Sequence, residues 1–290
     1  GLAWAPLLPT MTPMRRFPPL IWILALTCLP VLAEQKVASK FVRIDEDGKA
    51  ARLQTTVTRY EKDGTVVDLL GAVHIGDGAY YDELNRRFAD YDALLFELIG
   101  GENLVNGRFP ENGDKGALGK MYAMMSSAMK LSGQLEMIDY SKKNFVHADL
   151  TVAEFEQLQE KRGESIMGFA MASAINTERA DPAASMDMGA MVSALLSGNS
   201  NGLKLTVMKS LGGQDDQILK LSGESVIIDD RNAKCFQVLD RQLKAGRRKL
   251  GVFYGAAHLA DMEERLRKRG FRKTGEKWLT AWYVPKPQGE

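Results

Sequence analysis

Two apolar runs, one in each half of the chain, end in the same short motif of a glycine, two small residues and a histidine. The run at residues 66–75 carries His74, and the run at 250–259 carries His258. Continuous apolar runs of this length are typical of strands that are buried on both faces of a sheet. The pattern therefore predicts two core strands that each present an imidazole at the carboxyl edge, where open α/β sheets place their ligands.

The segments around these runs predict the rest of the sheet and its helices. Strands at 41–44 and 53–60 are bounded by Asp-Gly pairs at 47–48 and 63–64, which are typical of hairpin turns. Further strands are expected at 93–98 and 278–284, helices at 80–90, 231–244 and 261–270, and a short strand or helix end at 226–228. We expect an α/β (α+β) fold with a central mixed β-sheet and an N-terminal antiparallel meander.

A large helical insertion at about residues 103–222 interrupts this pattern and is rich in methionine. Methionines recur at helical spacing near its start and again later in it: Met121, Met124, Met125 and Met129, then Met167, Met171, Met186, Met188 and Met191. A methionine stripe is usually part of a core, although a Met-rich surface also suits apolar or peptide ligands. Both interpretations of the insertion stay open.

The third histidine of the chain, His147, lies inside this insertion beside Asp149. It comes shortly before Thr151 and Glu154, whose spacing predicts a capping box at the start of a helix. A local hydrogen bond in a loop is the simpler role for His147, and a place in a functional site is the alternative.

The first 33 residues have the pattern of a secretory signal peptide. Arg15 and Arg16 precede an apolar stretch at 20–29, and small residues lead to an expected cleavage after Ala33. Residues 1–13 are expected to lie before the true start or to reflect a different start. The apolar stretch is too short for a membrane span, and the residues around Cys28 do not fit a lipidation site, so we expect an exported, periplasmic or extracellular protein with no stable membrane span after cleavage.

Charge and cysteine content narrow the function classes further. The chain has 38 Lys and Arg, 37 Asp and Glu, and a net charge of +1, so nothing in this balance points to nucleic acid. After signal cleavage Cys235 would be the remaining cysteine, and its apolar helical neighbours predict a buried thiol and no internal disulfide.

The candidate chemistry comes from the strand ends. If the strands that end near His74, Glu97 and His258 are neighbours, two imidazoles and a carboxylate converge as the ligand set of a hydrolytic metal site. Glu97 would complete the metal shell or act as general base on a water molecule. Arg231 and Asn232, in the first turn of a predicted helix, would stabilise an oxyanion or clamp a carboxylate.

These motifs together resemble the TraB/PrgY/GumN/Tiki family. The resemblance rests on the two GxxH motifs, on Glu97 in Phe-Glu-Leu, and on the stretch Ile-Ile-Asp-Asp-Arg-Asn at 227–232, and it runs from about residue 65 to 284. It implies one TraB/Tiki-like domain at 34–290 and a metal-dependent protease that uses His74, Glu97 and His258. Asp230 stands where many relatives have Glu, which conserves the charge.

The sequence thus predicts a metal-dependent, peptidase-like hydrolase that acts outside the cytoplasm on a peptide or a small amide or ester. The expected cofactor is a divalent ion such as Mn, Co or Zn. Two alternatives stay open. One is a metal-independent, esterase-like hydrolase with His74 or His258 as general base. The other is a non-catalytic protein that binds a peptide, a pheromone or haem.

Overall fold

The computed structural model describes residues 41–106, 117–163, 188–211 and 226–286. All of them belong to one unit of the chain, Ala38–Glu290. The predicted signal peptide, Cys28 and the methionines at 167, 171 and 186 lie outside the described residues.

A mixed sheet forms the centre of this unit, which confirms the predicted fold class. The nine strands of the described part of the chain are β1 (Val42–Glu46), β2 (Ala50–Lys62), β3 (Thr65–Ala72), β4 (Ile75–Gly76), β5 (Ala93–Phe96), β6 (Ser132–Gly133), β7 (Phe145–His147), β8 (Lys249–Gly255) and β9 (Arg272–Pro285). The central sheet has the order β1-β2-β3-β8-β5-β7, with β9 paired to β2, and β4 and β6 form a separate pair.

The antiparallel part of the sheet is the predicted N-terminal meander. The first part of β2 pairs antiparallel with β1, and its last part pairs antiparallel with β3 through the turn at Asp63 and Gly64. Both turn residues have positive φ, 47° and 73°, as the hairpin turn with an Asp-Gly pair requires. The final strand β9 pairs along almost the whole of β2 and is longer than the sequence predicts.

The parallel part of the sheet determines where the site lies. Strand β8 pairs parallel with β3 on one side and with β5 on the other, and β7 pairs parallel with β5. Strands β3 and β5 are therefore separated by β8, which comes from a segment more than 150 residues later in the chain. The carboxyl ends of these four strands meet at one edge of the sheet.

Helices cover both faces of the sheet. Within the described residues they are α1 (Gly78–Phe88), α2 (Ala117–Met129), α3 (Gln134–Met137), α4 (Val152–Arg162), α5 (Met188–Leu196), α6 (Ser200–Leu211), α7 (Arg231–Lys244) and α8 (Leu259–Lys268). Alternate side chains of β5 show the two layers, because Leu94 and Phe96 pack with α1, whereas Leu95 packs with α7 and α8. Burying one such side chain contributes about 1.5–3 kcal/mol, so both layers anchor the strands.

The described parts of the predicted insertion are mainly helical, with two exceptions, the short strands β6 and β7. Strand β7, which contains His147, belongs to the edge of the central sheet and is not a loop before a helix. A three-residue strand gives too short a pattern for period-two alternation to be recognised. The segment Val226–Asp230 is a wide helical turn, so the helix-end interpretation of 226–228 is correct and the strand interpretation is wrong.

Several local predictions are confirmed. Thr151 and Glu154 form the capping box of α4, and Cys235 is buried in α7 as a free thiol. The methionines of α2 have mixed environments, because Met129 is buried in the core while Met124 is 57% exposed. No helix in the described residues is long and apolar enough to cross a membrane.

Candidate functional site

Four polar side chains lie at or just beyond the ends of the four parallel strands. His74 follows β3, His258 follows β8, Glu97 follows β5, and His147 ends β7. The strand order places β8 between β3 and β5, so the predicted His74, Glu97 and His258 come from three adjacent strands. The condition that the sequence left open, that these strands be neighbours, is therefore met.

Glu97 is held from two sides. Its Oε1 accepts a hydrogen bond from Arg231 Nη2 at 2.5 Å, and its Oε2 accepts one from the backbone N–H of Gly255 at 2.5 Å. Burial by itself would raise the pKa of this carboxyl, but the positive charge of Arg231, with smaller contributions from the other partners, holds the pKa well below its usual range. Glu97 is therefore a carboxylate at neutral pH and can accept a proton or bind a cation.

Gly255, the glycine of the second motif, allows this approach. A Cβ at this position would lie 3.2 Å from Glu97 Oε2. The backbone there has a φ of −49°, so the glycine is needed for close contact and not for an unusual conformation. The sequence motif thus has a direct structural meaning, because the missing side chain makes room for the carboxylate.

Arg231 bridges two carboxylates, and one of them was not identified from the sequence. Its Nε and Nη2 donate to Asp149, with an Nη2–Oδ2 distance of 2.7 Å, while Nη2 also reaches Glu97. The Asp149 side chain has no solvent exposure, and its Oδ1 accepts a further hydrogen bond from the backbone N–H of Leu150. Two carboxylates share one guanidinium, so the cluster has a net negative charge. The position of Asp149 beside His147, just before the α4 cap, was the only signal in the sequence.

His258 is buried and oriented by Asn232. The ring Nδ1 lies 2.7 Å from Asn232 Oδ1, and Asn232 Nδ2 donates to the backbone oxygen of His258 at 3.2 Å. Burial lowers the pKa of His258 to about 4, against the opposing influence of Glu97, so the imidazole is neutral at pH 7. Its Nε2 lies 3.5 Å from Glu97 Oε1.

His74 occupies a different position from its counterpart. It is exposed, and its backbone oxygen accepts a hydrogen bond of 2.8 Å from the N–H of Gln134. It is close enough to Glu97 and His258 for its charge to lower the pKa of both groups. We conclude that His74 lies at the solvent side of the cluster, whereas His258 lies at its buried side.

Arg231 and Asn232 reach the site, but as partners of other protein groups. The sequence analysis predicts donors for an oxyanion or a substrate carboxylate. In the structure Arg231 binds Asp149 and Glu97, and Asn232 binds His258. Their contacts orient the two central side chains.

His147 does not join this cluster through any of its described hydrogen bonds. Its Nε2 lies 2.7 Å from the backbone oxygen of Leu98, and its ring contacts Phe96 with a centroid distance of 5.6 Å. The simpler interpretation, a local hydrogen bond in a loop, is wrong in both respects, because His147 lies in a strand and its partner is a backbone oxygen 49 residues earlier in the chain.

The fit of a divalent ion can be tested on these donors. Two ligands at about 2.0–2.2 Å from one tetrahedral ion lie about 3.4 Å apart. The 3.5 Å between His258 Nε2 and Glu97 Oε1 agrees with that separation. In the described part of the chain, however, no three His, Cys, Asp or Glu side chains form a group that could hold an ion. Two atoms, His258 Nε2 and Glu97 Oε1, are thus suitably placed to bind an ion. His74, at the solvent side, is the candidate for a third ligand.

Comparisons with known proteins add no further assignment, because no family model, no curated protein and no solved structure matches this chain.

Proposed function

We propose that this protein is a hydrolase of the TraB/Tiki type, in which His258 and Glu97 bind and orient the attacking water molecule. The substrate would be a peptide or a small amide or ester, and a divalent ion such as Mn, Co or Zn would be bound by these two residues together with His74. One observation carries the proposal, which is the contact between His258 Nε2 and Glu97 Oε1 at 3.5 Å.

That contact brings two acceptors together. Asn232 Oδ1 has no hydrogen to donate, so in the neutral ring Nδ1 carries the proton and Nε2 carries a lone pair. Glu97 is ionised, so its Oε1 is also an acceptor. Two facing acceptors are stabilised by a cation or by a molecule that donates hydrogen bonds to both. A water molecule or a divalent ion satisfies this requirement.

The basicity of the two residues favours assistance by an ion. The pKa of His258 is about 4, and the pKa of Glu97 is held well below its usual range, so both are weak bases. A weak base removes a proton slowly from ordinary water, whose pKa is about 15.7. A bound divalent ion would lower the pKa of a water molecule to about 7 and polarise the substrate carbonyl. The net negative charge of Glu97, Asp149 and Arg231 suits a cation.

The remaining residues have supporting roles in this proposal. Arg231 and the Gly255 amide hold Glu97, so its free lone pairs point in a defined direction. Asn232 holds the His258 ring. His74, at the solvent side, would complete the ligand set of the ion. A site held in this way needs little reorganisation when the reaction occurs.

The proposed place of action is outside the cytoplasm, which rests on the signal-like pattern at residues 1–33. Expression of the full chain with its leader would give a mature protein that begins at Glu34 and appears in the periplasm or medium. A retained leader in the cytoplasmic fraction would contradict this part of the proposal.

The decisive experiment compares the wild type with Glu97→Gln, in two assays. Hydrolysis of p-nitrophenyl acetate and of a fluorogenic peptide mixture is measured with added Mn²⁺, Co²⁺ or Zn²⁺ and again with EDTA. Bound metal is measured by elemental analysis. We expect Glu97→Gln to lower kcat at least about 100-fold, a loss in the range of general base and metal effects. Glu102→Gln, at an exposed position nearby, is the matched control and should retain activity.

The outcomes separate the alternatives. Unchanged hydrolysis in Glu97→Gln would show that Glu97 is neither base nor ligand. Activity that depends on Glu97 but persists in EDTA, with no metal bound, would identify the metal-independent hydrolase. No hydrolysis by the wild type, together with the absorption band of bound haem or a retained peptide, would replace the proposal with a binding function.

A further inference from the structure

The aspartate Asp261, in the first turn of α8, lies behind the site and was not singled out by any motif. Asn232 Nδ2 donates to Asp261 Oδ2 at 2.8 Å, in addition to its longer contact with the His258 backbone oxygen. We propose that Asp261, held by Arg265, is a positioning residue that sets the orientation of the Asn232 amide and thereby the ring tautomer of His258.

The argument begins with the asymmetry of an amide. One end of the Asn232 side chain donates and the other only accepts. Its Nδ2 faces two oxygens, those of Asp261 and of the His258 backbone, so a rotated amide would place its own oxygen against both. The orientation with Nδ2 toward Asp261 is therefore favoured, and Oδ1 must face His258 Nδ1.

The tautomer follows from this orientation. An oxygen acceptor at 2.7 Å from Nδ1 requires the hydrogen on that nitrogen. The lone pair of the neutral ring is then on Nε2, the nitrogen that faces Glu97. With the amide rotated, Nδ2 would face Nδ1, the hydrogen would move to Nε2, and His258 would offer Glu97 a donor in place of a lone pair.

Arg265 holds Asp261 in place for this role. Arg265 Nε donates to the same Oδ2 atom at 2.5 Å, and Arg265 Nη2 binds Asp229 in the turn before α7. Two donors thus converge on one oxygen and leave it no freedom to turn away. The Asp261 side chain is 27% exposed, so its replacement leaves no large cavity in the core.

This inference deepens the proposed function, and its importance for catalysis rests on that function. The test, however, measures directly which nitrogen of the His258 ring carries the hydrogen. The chain has three histidines, so the nitrogen NMR spectrum of protein labelled at histidine contains three imidazoles. His74→Gln and His147→Gln identify the resonances of His258 by elimination. Spectra are recorded at about pH 7, on the protein as purified and after EDTA treatment, since the neutral ring shows its tautomer there.

The variants are Asp261→Ala and its matched control Asp261→Asn. Wild type should show Nδ1 as a protonated-type nitrogen and Nε2 as an unprotonated-type nitrogen. Asp261→Ala removes the acceptor, and both His258 nitrogens should shift toward intermediate values as the two tautomers mix. Asp261→Asn keeps a carbonyl oxygen, which the two converging donors hold in place, and should restore the wild-type spectrum.

Each other outcome overturns the inference. A wild-type ring protonated at Nε2 contradicts it without any variant, so the test survives even if Asp261→Ala does not fold. A folded Asp261→Ala with the wild-type spectrum shows that the backbone contact alone orients Asn232. A shift in Asp261→Asn equal to that in Asp261→Ala shows that charge, and not the acceptor, matters. None of these results depends on hydrolysis, so failure here and failure of the proposed function are distinguishable.

Discussion

The two GxxH motifs have nearly the same local sequence and different structures. After β3 the first motif bends at His74 and enters β4, and His74 is exposed. After β8 the second motif turns into a helical segment that leads into α8, and His258 is buried. The comparison teaches that the motif brings a histidine to the sheet edge, while the element that follows it decides whether the imidazole meets solvent or the protein interior.

Their surroundings explain the different roles. His258 is connected through Asn232 to Asp261, and Glu97 is connected through Arg231 to the buried Asp149. The backbone oxygen of His74 accepts a hydrogen bond from Gln134, and its side chain is exposed. The second motif should therefore affect the stability of the fold, whereas the first should affect mainly what the site contacts.

The largest effect is expected from a change on the buried side of the site, at Arg231. Arg231→Met leaves Asp149, with no exposed side-chain surface, and Glu97, with 11%, without their shared cation. Removing one partner of a buried ion pair costs about 3–5 kcal/mol. We expect urea unfolding to show a loss of this size in the free energy of unfolding.

The double variant Arg231→Met, Asp149→Asn is the control for uncompensated charge and should recover part of the loss. A single variant within about 1 kcal/mol of the wild type would contradict the description of the cluster, since surface ion pairs contribute only that much.

The next effect concerns His258 and pH. Its pKa in the folded protein, about 4, lies below the ordinary value of 6.5. Between these values the unfolded chain binds a proton that the folded protein does not, so the free energy of unfolding falls as the pH decreases. The contribution is fully present above about pH 6.5 and is lost toward pH 4, with a loss of about 2–3 kcal/mol by about pH 4.5.

Urea unfolding of the EDTA-treated wild type and of His258→Gln at about pH 7 and about pH 4.5 measures this difference. The variant lacks the titrating ring, so its stability should fall less over that interval. Equal decreases in the two proteins would mean that burial does not lower the pKa of His258.

The smallest effect compares the two motif glycines. In Gly255→Ala the new Cβ lies 3.2 Å from Glu97 Oε2, which its hydrogen bonds prevent from moving away. In Gly71→Ala the nearest atom, at 3.3 Å, is the end of the flexible Leu259 side chain. We expect a loss of about 1–2 kcal/mol for Gly255→Ala and less than about 1 kcal/mol for Gly71→Ala. If urea unfolding shows equal losses in the free energy of unfolding for the two variants, the close contact at Gly255 has no special role.

Much of the fold could be predicted from local patterns. The hairpins at the two Asp-Gly pairs, the capping box at Thr151 and the helix that begins at Arg231 all depend on residues a few positions apart, and the structure confirms them. Strand β7 was missed because three residues carry too little alternation, and Asp149 was missed with it. The partner of Asp149 is Arg231, 82 residues later, and no local signal connects them.

The sequence by itself determined which chemical groups stand at the strand ends, because glycine, apolar runs and histidine follow one another within each motif. Only the tertiary structure decided that β8 lies between β3 and β5, that Arg231 joins Glu97 to Asp149, and that one histidine is buried while the other is exposed. The physical reason is that strand order, burial and charge pairing depend on contacts between distant segments, which form only when the chain packs.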